Sequence, residues 1–239
     1  MKITTTLPLL ATVGLAAAAS ADITGAYVVS YTVMTEDFGG TAVSVNVQDL
    51  YLSSDDAADT VLNVFNLDLV ADGRVDYFQS EYGPGWSRTQ PGGPFTNGAL
   101  EMADSFVTIG GVLQGTFQPE QTSGVENNVI LDPNFDNEGL GYPGDLAGWA
   151  NGSPPNLSGL VGSVAYPDAD GAPYSLELGV FVGRVAYDGD FTIEGSTLEV
   201  TWNQGLGTPA EYDAFTVTPA PGALALLGFA GLAGRRRRD

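Results

Sequence analysis

The sequence predicts an all-β protein: an antiparallel β-sandwich of jelly-roll type, flanked by an N-terminal signal helix and a short C-terminal transmembrane helix. Three observations predict it. Helical periodicity is scarce between the two ends, β-favouring residues recur in short alternating runs, and Gly, Pro, Asn and Asp bound those runs.

The runs follow in order. Residues 27–33 (YVVSYTV) and 42–52 (AVSVNVQDLYL) read as strands. In the second, Val43, Val45 and Val47 alternate with Ser44, Asn46 and Gln48, which predicts one buried face. Residues 55–59 form an acidic turn. Residues 60–70 (TVLNVFNLDLV) then set Leu62 and Val64 against Asn63, and Phe65, Leu67 and Leu69 against Asn66 and Asp68. Residues 105–113 (SFVTIGGVL) give a further strand. The longest apolar stretch, 174–187 (YSLELGVFVGRVAY), is the natural central strand, with Gly179 and Gly183 as bending points. Residues 190–203 predict a hairpin. Phe191 and Ile193 lead into a turn at Gly195-Ser196, and Leu198, Val200 and Trp202 return on one face. Roughly eight to ten strands with turn-rich connections and no internal repeat point to a sandwich.

The two ends are of a different kind. Lys2 precedes an apolar stretch at 7–19, and Ala19-Ser20-Ala21 places small residues where a signal peptidase reads them. Residues 1–21 are thus predicted to be a signal peptide cleaved before Asp22, which implies the Sec export machinery as a partner. The far end mirrors it. An apolar run at 222–234 abuts Arg235, Arg236, Arg237 and Arg238, a stop-transfer arrangement by the positive-inside rule. Its 13 residues reach about 20 Å as a helix, short of a ~30 Å hydrocarbon core. So marginal a span suits a temporary anchor.

The stretch Thr218-Pro219-Ala220-Pro221, the apolar run and the arginine cluster together resemble the sorting tail of PEP-CTERM proteins. The resemblance covers residues 218–238 only. It implies recognition by a membrane-embedded exosortase-like transpeptidase at Pro219, Ala220 and Pro221, and removal of the tail. It also implies delivery to the envelope surface of a bacterium that makes exopolysaccharide. Ala220 stands where that family usually carries Glu. The chain accordingly divides into a signal peptide (1–21), an acidic ectodomain (22–218) and a sorting tail (219–239).

Composition narrows the chemistry. Between the two ends only Arg74, Arg88 and Arg184 oppose 28 acidic residues, a net charge of −25. Nucleic acid and anionic membrane surfaces are poor partners for that field, whereas divalent cations and neutral sugars are compatible with it. The chain contains neither Cys nor His, which excludes disulfides, thiolate chemistry, haem ligation and a Ser-His-Asp triad.

Candidate ligand-binding residues lie in the turn-rich stretches. Asp132, Asn134, Asp136 and Glu138 set oxygen atoms at every second residue, as calcium loops do, or as a solvated turn does. Asn137 and Pro143 fall where an EF-hand needs Gly and Glu, so it is not an EF-hand. Residues 83–98 and 118–167 read as long loops, and long loops are often functional. They carry Trp86 and Trp149, which are either sugar-stacking platforms or loop anchors. With so many acids some carboxylate pair will always fall at the roughly 5–9.5 Å a glycosidase needs, and no local motif singles one out.

The leading expectation is a non-catalytic envelope or matrix protein with a structural or adhesive role. A calcium-stabilised carbohydrate-binding module is the first alternative, and an acid-pair glycoside hydrolase the second.

Overall fold

In a computed structural model, which describes residues 22–36, 41–70, 103, 105–110, 120–121, 129–135, 146–152, 159–167, 173–187 and 192–220, the β-rich runs become eleven strands. Several predicted features lie outside the described residues. They are the signal segment with Ala19 and Ala21, the loop 83–98 with Trp86, Asp136, Glu138, and the tail from Pro221 through Arg235, Arg236, Arg237 and Arg238.

The strands are β1 (Ile23–Glu36), β2 (Ala42–Ser54), β3 (Thr60–Asp68), β4 (Phe106–Val107), β5 (Glu120–Gln121), β6 (Val129–Leu131), β7 (Ala147–Asn151), β8 (Gly162–Pro167), β9 (Pro173–Tyr187), β10 (Thr197–Asn203) and β11 (Glu211–Pro219). A 3-10 turn, Pro133–Phe135, follows β6. All-β is the class observed. The strands form one mixed sheet in the order β5-β8-β9-β2-β1-β11-β10-β3-β7-β6, with β4 beside β9.

The sheet curls until it nearly closes into a barrel. A bridge between Thr60 and Leu160 ties the start of β3 to the lead into β8. Two backbone bonds reinforce that seam, from Val61 N–H to Gly159 O at 2.9 Å and from Val161 N–H to Asp59 O at 2.9 Å. The purely antiparallel expectation does not hold, because β1 and β11 pair in parallel, Ala26 opposite Val217 and Val28 opposite Pro219.

One core fills the interior of the curl. It takes Ala26 and Val28 from β1, Leu50 and Leu52 from β2, Val180 and Val182 from β9, and Leu198, Val200 and Trp202 from β10. The strands β1, β2 and β9 are buried on the other face as well. There Tyr27 stacks on Tyr51 at 5.3 Å, Tyr51 meets Phe181 at 5.2 Å, and Phe106 approaches Phe181 edge-on at 5.9 Å. Val33, Val45, Val47 and Ala186 extend this second layer. The alternation predicted in β2 holds where it was read, with Val45 and Val47 buried and Ser44 exposed; from Gln48 onward the strand is buried on both faces, Tyr51 on one and Leu50 and Leu52 on the other. Strands covered on both sides read as nearly continuous apolar runs, as β9 does.

Four local expectations are corrected. The predicted hairpin at 190–203 does not form, because β3 and β11 already occupy both edges of β10. The turn at Gly195-Ser196 exists, but Ile193 is a buried plug whose N–H donates to Gln48 Oε1 at 2.7 Å. Of the strand predicted over 105–113, residues 106–107 form β4 and Thr108 and Gly110 continue its hydrogen bonds to the β9 side, while 111–113 lie outside the described residues. The loop predicted over 118–167 contains β5, β6, β7 and β8. Finally, β11 had no counterpart in the predicted strands, and it runs into the residues assigned to the sorting tail.

Candidate functional site

Two side-chain assemblies carry the chemistry of the described residues. The first is buried. Asp49 on β2 and Arg184 on β9 are register partners. Arg184 Nε donates to Asp49 Oδ1 at 2.6 Å and Nη2 donates to Oδ2 at 2.9 Å, while the Tyr31 hydroxyl donates to Oδ2 at 3.0 Å. The guanidinium also lies over the rings of Phe106 and Tyr31, at 5.6 and 5.9 Å.

Burial alone pulls the Arg184 pKa down, but the facing carboxylate more than offsets it, so the side chain stays cationic. Burial likewise pushes Tyr31 and Tyr51 well above the ordinary phenol range, with the Asp49 charge adding to the rise. Both carboxylate oxygens are engaged by Arg184. The assembly is a neutralised staple between two strands, and it offers no oxygen poised for acid–base chemistry.

The second assembly faces solvent. On the outer side of the β6-β7-β3-β10-β11 half of the sheet, the register aligns Ile130, Ala150, Asn63, Thr201 and Tyr212 in a row across five strands. At ~4.8 Å between strands the row spans about 19 Å. A second row beside it runs through Phe65, Glu199 and Ala214. The Tyr212 ring, 59% exposed, stacks on Phe65 at 6.0 Å and 27° across β10. Tyr212 also hydrogen-bonds the Glu199 carboxylate, which raises its phenol pKa. The Thr201 hydroxyl donates to Asn63 Oδ1. Ile130, 64% exposed, ends the row.

Phe65 reaches this surface because β3 is irregular. Its pairing with β10 slips between Asn63 and Val61 and again between Phe65 and Asp68, and Asn66 has a φ of 50°. These bulges send Val64 and Leu67 inward and Asn63 and Phe65 outward, so Phe65 does not share the face of Leu67 as the alternation had set it. Gly148 on β7 makes room for it. A Cβ there would lie 2.9 Å from Phe65 Cα and 3.0 Å from Asp132 Oδ2.

Trp149 is corrected as a sugar-stacking candidate. It occupies β7, not a loop, and its ring points inward at 2% exposure with Nε1–H donating to Thr108 O at 2.8 Å. Of the calcium candidates, Asp132 Oδ1 accepts the Asn134 N–H at 2.9 Å and the Asn134 amide donates to Leu146 O at 3.4 Å, the bonding of a local turn. Among the described residues no group of three or more acids is set to hold a metal ion. Of the sorting residues, Pro219 ends β11 and Ala220 follows it in the folded body.

Sequence reasoning missed both assemblies. Asp49 shares the parity of Val45, Val47 and Tyr51, and Arg184 interrupts an apolar run; together these were the legible signs of a buried pair. Tyr212 lay in a segment with no predicted strand. No family model, curated protein or solved structure matches the chain.

Proposed function

We propose that the chain is an exported, non-catalytic protein of the cell envelope or extracellular matrix, with a structural or adhesive role exercised by holding polysaccharide. The observation that carries this reading is the exposed aromatic-and-polar face on β3, β10 and β11. A sugar ring presents an apolar C–H face and a rim of hydroxyls. The Phe65–Tyr212 pair matches the former, and Asn63, Thr201 and Glu199 match the latter. Glu199 on the face and Asp132 beside it, with the one cation among the described residues buried at Arg184, favour neutral glycan chains over polyanions.

In this reading the curled sheet is the sandwich-like ectodomain. The signal helix delivers it to the Sec export machinery, and an exosortase-like transpeptidase releases it from a transient membrane anchor.

Affinity electrophoresis of the secreted protein through gels containing neutral and anionic polysaccharides tests the binding. Retardation by a neutral chain, lost in Tyr212→Ala, supports it; equal mobility in every gel removes it. A calcium-stabilised carbohydrate-binding module is the second reading, carried by the alternate-residue spacing of Asp132, Asn134, Asp136 and Glu138 in the sequence. A melting temperature indifferent to added calcium removes that version.

A further inference from the structure

The folded body extends into the residues read as the sorting tail. Val217, Thr218 and Pro219 pair in parallel with Ala26, Tyr27 and Val28 of β1. Beyond the last pair, the Ala220 N–H donates to Val28 O at 3.0 Å, and the Thr218 hydroxyl donates to Ala26 O at 3.1 Å. The Ala220 side chain is 8% exposed and packs in the cluster of Tyr27, Val29, Tyr51 and Phe181. The strand it docks on starts at Ile23, directly after Asp22, whose N–H donates to Asp55 Oδ1 at 2.8 Å.

A peptidase needs its substrate extended in its own cleft, with backbone groups free to pair with the enzyme. Bonds already paired in a sheet become substrates only through local opening. Residues 217–220 are paired to the first strand of the mature chain, and a small apolar side chain at 220 seals them against a ring cluster.

We propose that this pairing sets the processing boundary: the first two residues of Pro219-Ala220-Pro221 belong to the folded domain, and proteolytic removal of the tail falls after Ala220. The side chain at 220 is a positioning element for that boundary. A carboxylate there would enter the cluster of Tyr27, Tyr51 and Phe181, an uncompensated burial that favours peeling the end of β11 away. The processing half of the proposal rests on the reading of 219–239 as a sorting tail.

Two measurements separate the halves. In the first, the full-length chain is digested briefly with thermolysin, which cuts before apolar residues, and the products are weighed. The expected stable core ends at or after Ala220. An early cut before Val217, as fast as in a peptide of residues 212–226, overturns the folded boundary. Ala220→Glu should accelerate the cut before Val217 roughly tenfold while Ala220→Ser leaves it slow; equal rates overturn the role of the side chain. Should the Glu variant fail to fold, the wild-type digest against the free peptide still decides the boundary. In the second, protein released from the producing cells is weighed. A C-terminus between Ala220 and Gly234 supports the proposal, and one at or before Pro219 overturns it. A chain still carrying Arg235 to Arg238 overturns the sorting reading and the processing half with it, whereas the digest stands on its own.

Discussion

Asp49 and Arg184 stand opposite one another on β2 and β9, joined by two hydrogen bonds of 2.6 and 2.9 Å, with the Tyr31 hydroxyl on the same carboxylate. Removing one partner strands the other charge among Tyr31, Tyr51 and Phe106. Arg184→Met alone should therefore cost about 3–5 kcal/mol of unfolding free energy, whereas the double variant Asp49→Leu/Arg184→Met should cost less than that single one. Denaturant titrations of the variants measure this. The difference should also be insensitive to added salt, because the pair is shielded from solvent ions. A double variant as unstable as the sum of the singles would show that the pair is not coupled.

The strands β1, β2 and β9 were legible because β-branched and aromatic residues concentrate in them. What was not legible depends on distant partners. The parallel docking of β11 on β1 joins residues such as Tyr27 and Thr218, far apart in sequence, and no local pattern announces it. The hairpin at 190–203 looked sound locally, yet β3 supplied the partner for β10 instead. Phe65 was grouped with Leu67, but two bulges in β3 turn it outward; the switch of apolar positions from 62 and 64 to 65, 67 and 69 signals an irregularity without locating it. Trp149 was assigned to a loop because β7, at five residues among Gly, Pro and Asn, is too short to announce itself. At the candidate site, Asn63 and Thr201 sat in predicted strands, but nothing aligned them with Tyr212 until register was known.

Gly159 carries the seam that nearly closes the barrel. Its φ is +77°, and a Cβ would lie 2.4 Å from Val61 O. The same glycine accepts the Val61 N–H through its own carbonyl, so any shift that relieves the clash weakens the seam. Gly159→Ala should lower stability by roughly 2 kcal/mol or more, combining backbone strain with the displaced contact. Hydrogen exchange should report faster amide exchange at Val61 and Val161 than at Val28 on β1, which lies three strands from either side of the seam. Uniform acceleration would contradict a local effect.

Asp59 gives stability a signed dependence on pH. Burial raises its pKa above 3.8, while the hydrogen bond from Ser54 Oγ at 2.7 Å pulls the other way and the Asp56 charge adds to the rise. A carboxyl whose folded pKa is raised binds its proton more tightly in the native state. Stability is therefore lost as pH rises from the unfolded pKa through the folded one, and regained on acidification. Asp59→Asn removes this titration. The stability of Asp59→Asn relative to wild type should become more favourable between about pH 4 and neutrality, then level off. Measuring the difference between the two proteins cancels the general repulsion of the other acids. A difference independent of pH would show that Asp59 titrates as an exposed carboxyl.

Trp149 and Tyr212 give the sharpest contrast between structure and binding. Trp149 lies in the core and its Nε1–H satisfies the Thr108 carbonyl. Trp149→Phe leaves that buried carbonyl without its donor and opens a small cavity, together about 2–4 kcal/mol. Tyr212 is an exposed ring whose removal leaves the core intact, so Tyr212→Ala should change stability by less than about 1 kcal/mol. On polysaccharide gels run well below the melting temperature of both variants, the order should invert. Trp149→Phe should migrate like wild type, because its side chain never reaches the surface, and Tyr212→Ala should lose retardation. Loss of retardation in Trp149→Phe while it remains folded by circular dichroism would move the binding face away from β3, β10 and β11.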